Sequence, residues 1–212
     1  MDETARKDEL IASLLPDVPF DGWSMAAMRT AARRIAMDED ELRRLFPRGV
    51  RDALLWFSHW ADRLMLETVA ARPEGGRPVH ERIAEAIRTR LRLLAPYREA
   101  VRRGLSLLSL PPYAPLGAKL LYDTVDAAWY AAGDVSTDFS FYTKRGMLAA
   151  IYGATMLYWL DDRSEGSSAT EAFLDRRLRD VSALPRIRAG IERAGRHIPN
   201  PLRLFRVPRP RF

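Results

Sequence analysis

The sequence predicts an all-α protein. Apolar residues recur at spacings of three and four along nearly the whole chain, no sustained alternation of period two occurs, and glycines and prolines fall between the periodic segments. Of 212 residues, 47% are hydrophobic and 29% charged, with five Trp, seven Tyr, eight Phe and seven Met. That is more apolar bulk than a solvated chain carries, and the length suits one or two domains.

The elements follow in order from this punctuation. A first helix is expected over 3–15, stopped by the break from Pro16 to Gly22. Helices over 24–36 and 39–46 end at Pro47, and a long one over 48–71 runs to the turn Pro73-Glu74-Gly75-Gly76. In the next, 79–95, Ile83, Ile87, Leu91 and Leu94 form a stripe with Arg82, Glu85, Arg88 and Arg92 off it. One side is therefore expected to pack and the other to face water. Pro96 precedes a helix over 97–109, Pro111-Pro112 one over 115–132, and Gly133-Asp134 one over 137–161. Gly166-Ser167-Ser168 opens a helix over 168–182, and a further one is read over 184–196. The second half of 137–161 (Met147, Leu148, Ile151, Tyr152, Met156, Leu157, Trp159, Leu160) is apolar nearly all round, so other helices or a second subunit should enclose it. The uncharged run Gly146 to Leu160 is 15 residues, short of the roughly 20 that cross a bilayer.

Several chemistries find no support. There is no cysteine, which removes disulfides, thiolate metal sites and cysteine nucleophiles and suits a reducing cytoplasm. His59, His80 and His197 lie far apart with no paired ligand spacing, so neither metal nor cofactor is expected. No glycine-rich phosphate loop or nucleophile elbow occurs. Asp161-Asp162 and Asp134 with Asp138 fall at helix ends, where carboxylates cap more often than they catalyse. Met1 to Arg6 include Asp2 and Glu3 and lack a signal peptide's basic start.

Charge is unevenly placed. Net charge is +6, yet 183–212 alone carries eight arginines against Glu192, a balance of +7, so the rest of the chain sums to −1. A near-neutral body with a basic arm points to an anionic surface, nucleic acid or acidic lipid. In the arm Leu202, Leu204, Phe205, Val207 and Phe212 interleave with Arg203, Arg206, Arg209 and Arg211, while Pro199, Pro201, Pro208 and Pro210 preclude a long helix.

Residues 24–47 resemble the helix-turn-helix of TetR-type regulators: Met37, Leu42, Phe46 and Pro47 fall on its turn hydrophobe, core position and Phe-Pro ending, and a long helix begins near Arg48. Ala36 stands where that turn often has Gly. A recognition helix presents its first residues to bases and phosphates. Here they are Asp38, Glu39, Asp40 and Glu41, which suit a helix N-terminus but repel a polyanion. Loss of DNA binding is expected.

The most distinctive stretch is Ala132-Gly133-Asp134-Val135-Ser136-Thr137-Asp138-Phe139-Ser140-Phe141-Tyr142-Thr143-Lys144-Arg145, followed by Met147-Leu148-Ala149-Ala150-Ile151-Tyr152 and by Asp162 and Ser164. Capping accounts for Gly133, Asp134, Ser136 and Thr137 but not for Phe141-Tyr142 beside Lys144-Arg145. With the similarity extending over about 10–182, the run resembles the Coq-nine family of ubiquinone (coenzyme Q) biosynthesis proteins.

That resemblance implies an all-α, TetR-like helical bundle and a homodimer. It further implies an isoprenoid lipid or ubiquinone precursor in the former effector pocket, presented to the demethoxyubiquinone hydroxylase or another quinone hydroxylase at the membrane. The family pattern puts the partner surface at Asp126, Ala128, Phe141, Tyr142 and Arg145, with Phe141 replacing the Trp and Ala128 the Met of mitochondrial relatives. Lipid-lining candidates are Leu105, Leu108, Leu120, Leu121, Val125, Ile151, Thr155, Met156 and Trp159. Periodicity does not distinguish a hollow interior from a filled one.

The expected organisation is a helix-turn-helix-like domain over 1–47, a lipid-binding and dimerisation domain over 48–182 and a membrane-contacting arm over 183–212. In the arm, Arg203, Leu204, Phe205, Arg206, Arg209 and Arg211 would meet the bilayer. The function expected is that of a non-enzymatic lipid-binding accessory protein, cytoplasmic and peripheral to the inner membrane. A TetR-type regulator and a dimeric scaffold with a filled core are the alternatives.

Overall fold

A computed structural model describes residues 2–71, 76–133 and 140–180, with side chains in 140–143 outside the description. Among the described residues there are helices and turns and no strand. In chain order they are α1 (Glu3–Leu14), α2 (Val18–Asp21), α3 (Met25–Arg34), α4 (Glu39–Leu45), α5 (Val50–Ala70), α6 (Val79–Leu94), α7 (Arg98–Leu108), α8 (Ala114–Ala131) and α9 (Ser140–Asp161). Residues 168–180 form α10. The read helix over 184–196 lies outside the described residues.

Local chemistry explains the starts. Asp2, Ser24 and Asp38 cap α1, α3 and α4, their side chains accepting from the amides of Thr4, Ala27 and Glu41. The one-turn α2 falls inside the break expected from Pro16 to Gly22, where proline reads as a stop. Pro19 instead sits in the first turn, where a missing N–H is harmless, and Gly22 at φ +67° ends the helix. Gly49 opens α5 at φ +55°, and any Cβ there would lie 2.5 Å from Met25 Sδ.

Ala36, between α3 and α4, adopts φ +52°, a left-handed conformation unfavourable to alanine. Arg6 braces this turn, donating from Nη1 to the Ile35 carbonyl at 3.2 Å and from Nη2 to the Ala36 carbonyl at 3.3 Å. Its Nε also bonds Glu41 at 2.8 Å, and Arg29 pairs with Glu39 at 3.1 Å. With Asp40 also 3.9 Å from Arg43, three of the four carboxylates at the start of α4 are paired with cations of the fold itself.

Packing is continuous from end to end. α1 lies against α3 and α5, α2 against α7, and α5 against α6 and α8, with α9 covering α8 and α6. Leu10, Leu14, Met28, Met65, Ile87, Leu94, Trp159 and Leu174 are fully buried. Trp23 joins the N-terminal helices to α7: its Nε1 donates to the Ala100 carbonyl at 2.9 Å, and its ring lies 5.4 Å from that of Phe57.

The polar side of α6 departs from expectation. Arg82, Glu85 and Arg88 are half-buried. The cover comes from α10, where Arg88 pairs with Asp175 and Arg92 Nη2 bonds Glu171 at 2.6 Å. An amphipathic pattern shows which side is apolar and not whether charged helices meet on the other. In α9, Leu148, Ile151, Tyr152, Met156, Trp159 and Leu160 are buried, whereas Leu157 and Tyr158 are exposed in the single chain.

Candidate functional site

A cavity of about 420 Å³ lies among α5, α6, α7, α8 and α9. From α5 come Leu54, Phe57 and Ser58; from α6, Arg90 and Leu94; from α7, Val101, Gly104, Leu105 and Leu108. α8 adds Gly117, Ala118, Leu120, Leu121 and Thr124, and α9 adds Tyr152, Gly153, Met156 and Leu157. Its outer rim is formed by Ser109, Ala114, Ala118 and Leu157, all exposed. The buried part of the wall includes Leu54, Arg90, Leu94, Thr124 and Tyr152.

Glycines open this space. A Cβ on Gly104 would stand 3.4 Å from both Leu54 Cδ2 and Trp23 Nε1, and one on Gly117 would stand 3.4 Å from the Leu108 carbonyl. These positions let helices approach closely. Gly153 differs: a Cβ there would meet nothing within 4 Å, so its missing side chain is space left to the cavity.

Almost the whole wall is hydrocarbon, and the polar exception is concentrated. Arg90, 4% exposed, donates from Nε to Asp62 at 2.6 Å, from Nη1 to the Tyr152 hydroxyl at 2.6 Å and from Nη2 to Ser58 Oγ at 3.1 Å. Thr124 Oγ1 donates to Asp62 at 3.1 Å. Burial works against the Arg90 charge, but Tyr152 and Asp62 outweigh it and hold the guanidinium more firmly protonated than usual. Burial pushes the Tyr152 phenol up to about 12, with Arg90 opposing and Asp62 assisting, so it is a donor at neutral pH.

Five lipid-lining candidates border this cavity: Leu105, Leu108, Leu120, Leu121 and Met156. The other four lie elsewhere. Val125 packs among Met65, Ile87, Ala128 and Leu148, and Ile151 and Thr155 are buried, with Thr155 Oγ1 donating to the Ile151 carbonyl at 2.7 Å. Trp159 borders a second cavity of about 390 Å³ beside α10, where Arg88, Arg92 and Glu171 are already ion-paired. Of the partner set, Asp126 accepts from Arg145 Nε at 2.7 Å, Ala128 is 1% exposed, and the side chains of Phe141 and Tyr142 are outside the description. The arm residues Arg203, Leu204, Phe205, Arg206, Arg209 and Arg211 also lie outside the described residues.

Arg90 and Asp62 were not singled out in the sequence, although a signal exists. Arg90 falls on the stripe of Ile83, Ile87 and Leu94, and Asp62 stands beside Ala61 and three residues before Met65, both buried on α5. Opposite charges inside two apolar stripes announce a buried pair.

Comparison with known proteins places the chain. The COQ9 family model matches residues 114–185, from α8 across α9 and α10. The human ubiquinone biosynthesis protein COQ9, mitochondrial, is 34% identical over 185 residues, which are 84% of this chain and 58% of the human protein. The chain is similar to COQ9 proteins over most of its length. The COQ9 protein of Rattus norvegicus is 34% identical over 81% of this chain, and that of Drosophila melanogaster 29% identical over 85%. The chain spans under three-fifths of the length of these COQ9 relatives, at 57% of the rat and 56% of the fly protein. In structure it is similar to a TetR transcriptional regulator from Nitrosomonas europaea, with a TM-score of 0.68 and 23% identity over 84% of this chain and 98% of that one. The fold is thus TetR-like and all-α.

Proposed function

We propose that this chain belongs to the COQ9 family and is a non-enzymatic lipid-binding accessory protein of ubiquinone biosynthesis, which holds an isoprenoid quinone precursor and presents it to a membrane-associated hydroxylase. The supporting observation is the cavity: about 420 Å³, within the range of small-molecule sites, with a hydrocarbon wall and an exposed apolar rim. An isoprenoid chain offers almost nothing to hydrogen-bond, so such a wall suits it. The names of the COQ9 relatives supply the pathway.

The remaining parts of the reading follow. Leu157, Tyr158 and Tyr122 are exposed large apolar residues on α8 and α9, which fits pairing with a second copy through these helices. The surface around Asp126, Phe141 and Tyr142 is the proposed hydroxylase contact, with Arg145, 7% exposed, holding Asp126 from beneath rather than facing a partner, and the basic arm the proposed contact with the inner membrane's cytoplasmic face. No helix among the described residues is long and apolar enough to cross a membrane. The carboxylates that open α4 weigh against reading DNA, because phosphate neutralisation supplies most of that affinity.

Native mass spectrometry and lipid extraction of the purified protein test the proposal. A co-purifying isoprenoid or quinone, with a melting temperature that rises when the lipid is added back, is expected. Lipid-free protein that neither binds nor is stabilised by an added isoprenoid quinone would refute it.

A further inference from the structure

The wall of the cavity is not uniformly apolar, and apart from Ser109 on the exposed rim its polar part lies in one inner corner. Tyr152 is 5% exposed and borders the cavity, and its hydroxyl oxygen accepts a hydrogen bond from Arg90 Nη1 at 2.6 Å. Among the described residues the phenolic hydrogen itself reaches no acceptor. Arg90 has five N–H bonds, and those to Asp62, Tyr152 and Ser58 leave one Nη1 hydrogen over. Two donors in one buried corner are therefore unspent, and buried donors are costly to leave unpaired.

The corner is also electrically balanced. Asp62 neutralises Arg90 through the 2.6 Å bond, and Thr124 adds a hydrogen bond rather than a charge. An anionic head entering there would find its counter-charge already committed and would lose its own hydration. A neutral carbonyl or phenolic oxygen asks only for a donor, and two are waiting.

We propose that Tyr152 and Arg90 receive an uncharged ring oxygen, so that the bound lipid enters ring first with its tail lying along Leu105, Leu108 and Leu121 toward the rim. The proposal rests on the cavity being the lipid site and adds the head chemistry and the direction of entry. It makes the site selective for quinone-like or phenolic lipids over fatty acids and phospholipids of similar bulk. Tyr152 and Arg90 are binding residues in this account, and no bond is made or broken.

The test uses the purified full chain with three probes of equal tail: a benzoquinone bearing a decyl tail, decylbenzene and undecanoate, with dissociation constants from calorimetry or tryptophan quenching. The wild type is expected to bind the quinone about tenfold more tightly than either comparison probe. Tyr152→Phe keeps the ring and removes the hydroxyl, and should bring the quinone to within about threefold of decylbenzene while leaving decylbenzene unchanged. Equal affinity for all three probes in the wild type, or a quinone preference that survives Tyr152→Phe, overturns the polar corner while the lipid cavity stands. Failure to bind any probe overturns the cavity reading as well. Should Tyr152→Phe not fold, the wild-type ranking alone decides.

Discussion

Replacing Asp62 by Ala isolates the strongest electrostatic commitment in the interior. Asp62 and Arg90 side chains are 9% and 5% exposed and meet at 2.6 Å, so each is the main compensation for the other's desolvation. Removing the carboxylate leaves a buried guanidinium unbalanced and takes the acceptor from Thr124. Breaking a buried pair from one side costs about 3–5 kcal/mol, a large share of the ~5–15 kcal/mol that holds a typical domain folded. At about 2–4 °C per kcal/mol for a chain of this size, the melting temperature should fall by about 6–20 °C. Urea unfolding followed by circular dichroism reads the loss directly. The double change Asp62→Leu with Arg90→Met should recover most of it, since apolar residues of like volume often replace a buried pair at no cost. A loss under about 1 kcal/mol would mean that water reaches the pair as it does at a surface, and the buried corner would have to be abandoned.

Other expectations are shorter. Gly153→Ala should stabilise α9 by about 1 kcal/mol in thermal melts, because its Cβ meets nothing and alanine favours helix, whereas Gly153→Phe should fill the cavity and abolish lipid co-purification. Asp162, at the start of α10, accepts from Ser164 N and Thr170 N at 2.8 Å and from both hydroxyls. Burial opposes its ionisation, but these bonds outweigh burial and hold its carboxyl well below the usual range. A depressed folded pKa stabilises fully above the unfolded value of about 4 and is lost as pH falls toward the folded one, so Asp162→Asn should flatten the acid side of a stability–pH curve. Unchanged acid sensitivity would remove Asp162 from the account. Replacing Arg203, Arg206, Arg209 and Arg211 by Gln should reduce sedimentation with anionic vesicles, each arginine being worth about 1 kcal/mol at such a surface.

The helices were legible because their signals are local: periodicity, capping residues and punctuating glycines and prolines. α2 escaped because a proline in a first turn reads like a stop, and the cover over α6 escaped because contact between α6 and α10 is set by tertiary packing. For the cavity, five of the nine lining candidates face it, since an apolar residue on an inward stripe lines either a void or a core. Val125 and Ile151 show the second outcome. Gly153 and Arg90 are the opposite case. An absent side chain leaves no periodic mark, and a charge reads as surface unless its partner's stripe is read beside it.

Trp23 has a mechanical corollary. Its indole is bonded to the backbone of α7 and abuts Gly104 and Phe57, two residues of the cavity wall. An occupant that pushes α7 outward drags the indole with it, and the indole is rooted one residue before the Ser24 cap of α3. Through this ring and the packing of α2 against α7, loading the interior would tilt the amino-terminal helices, so a cargo-laden molecule would differ in outline from an unladen one far from the cargo itself.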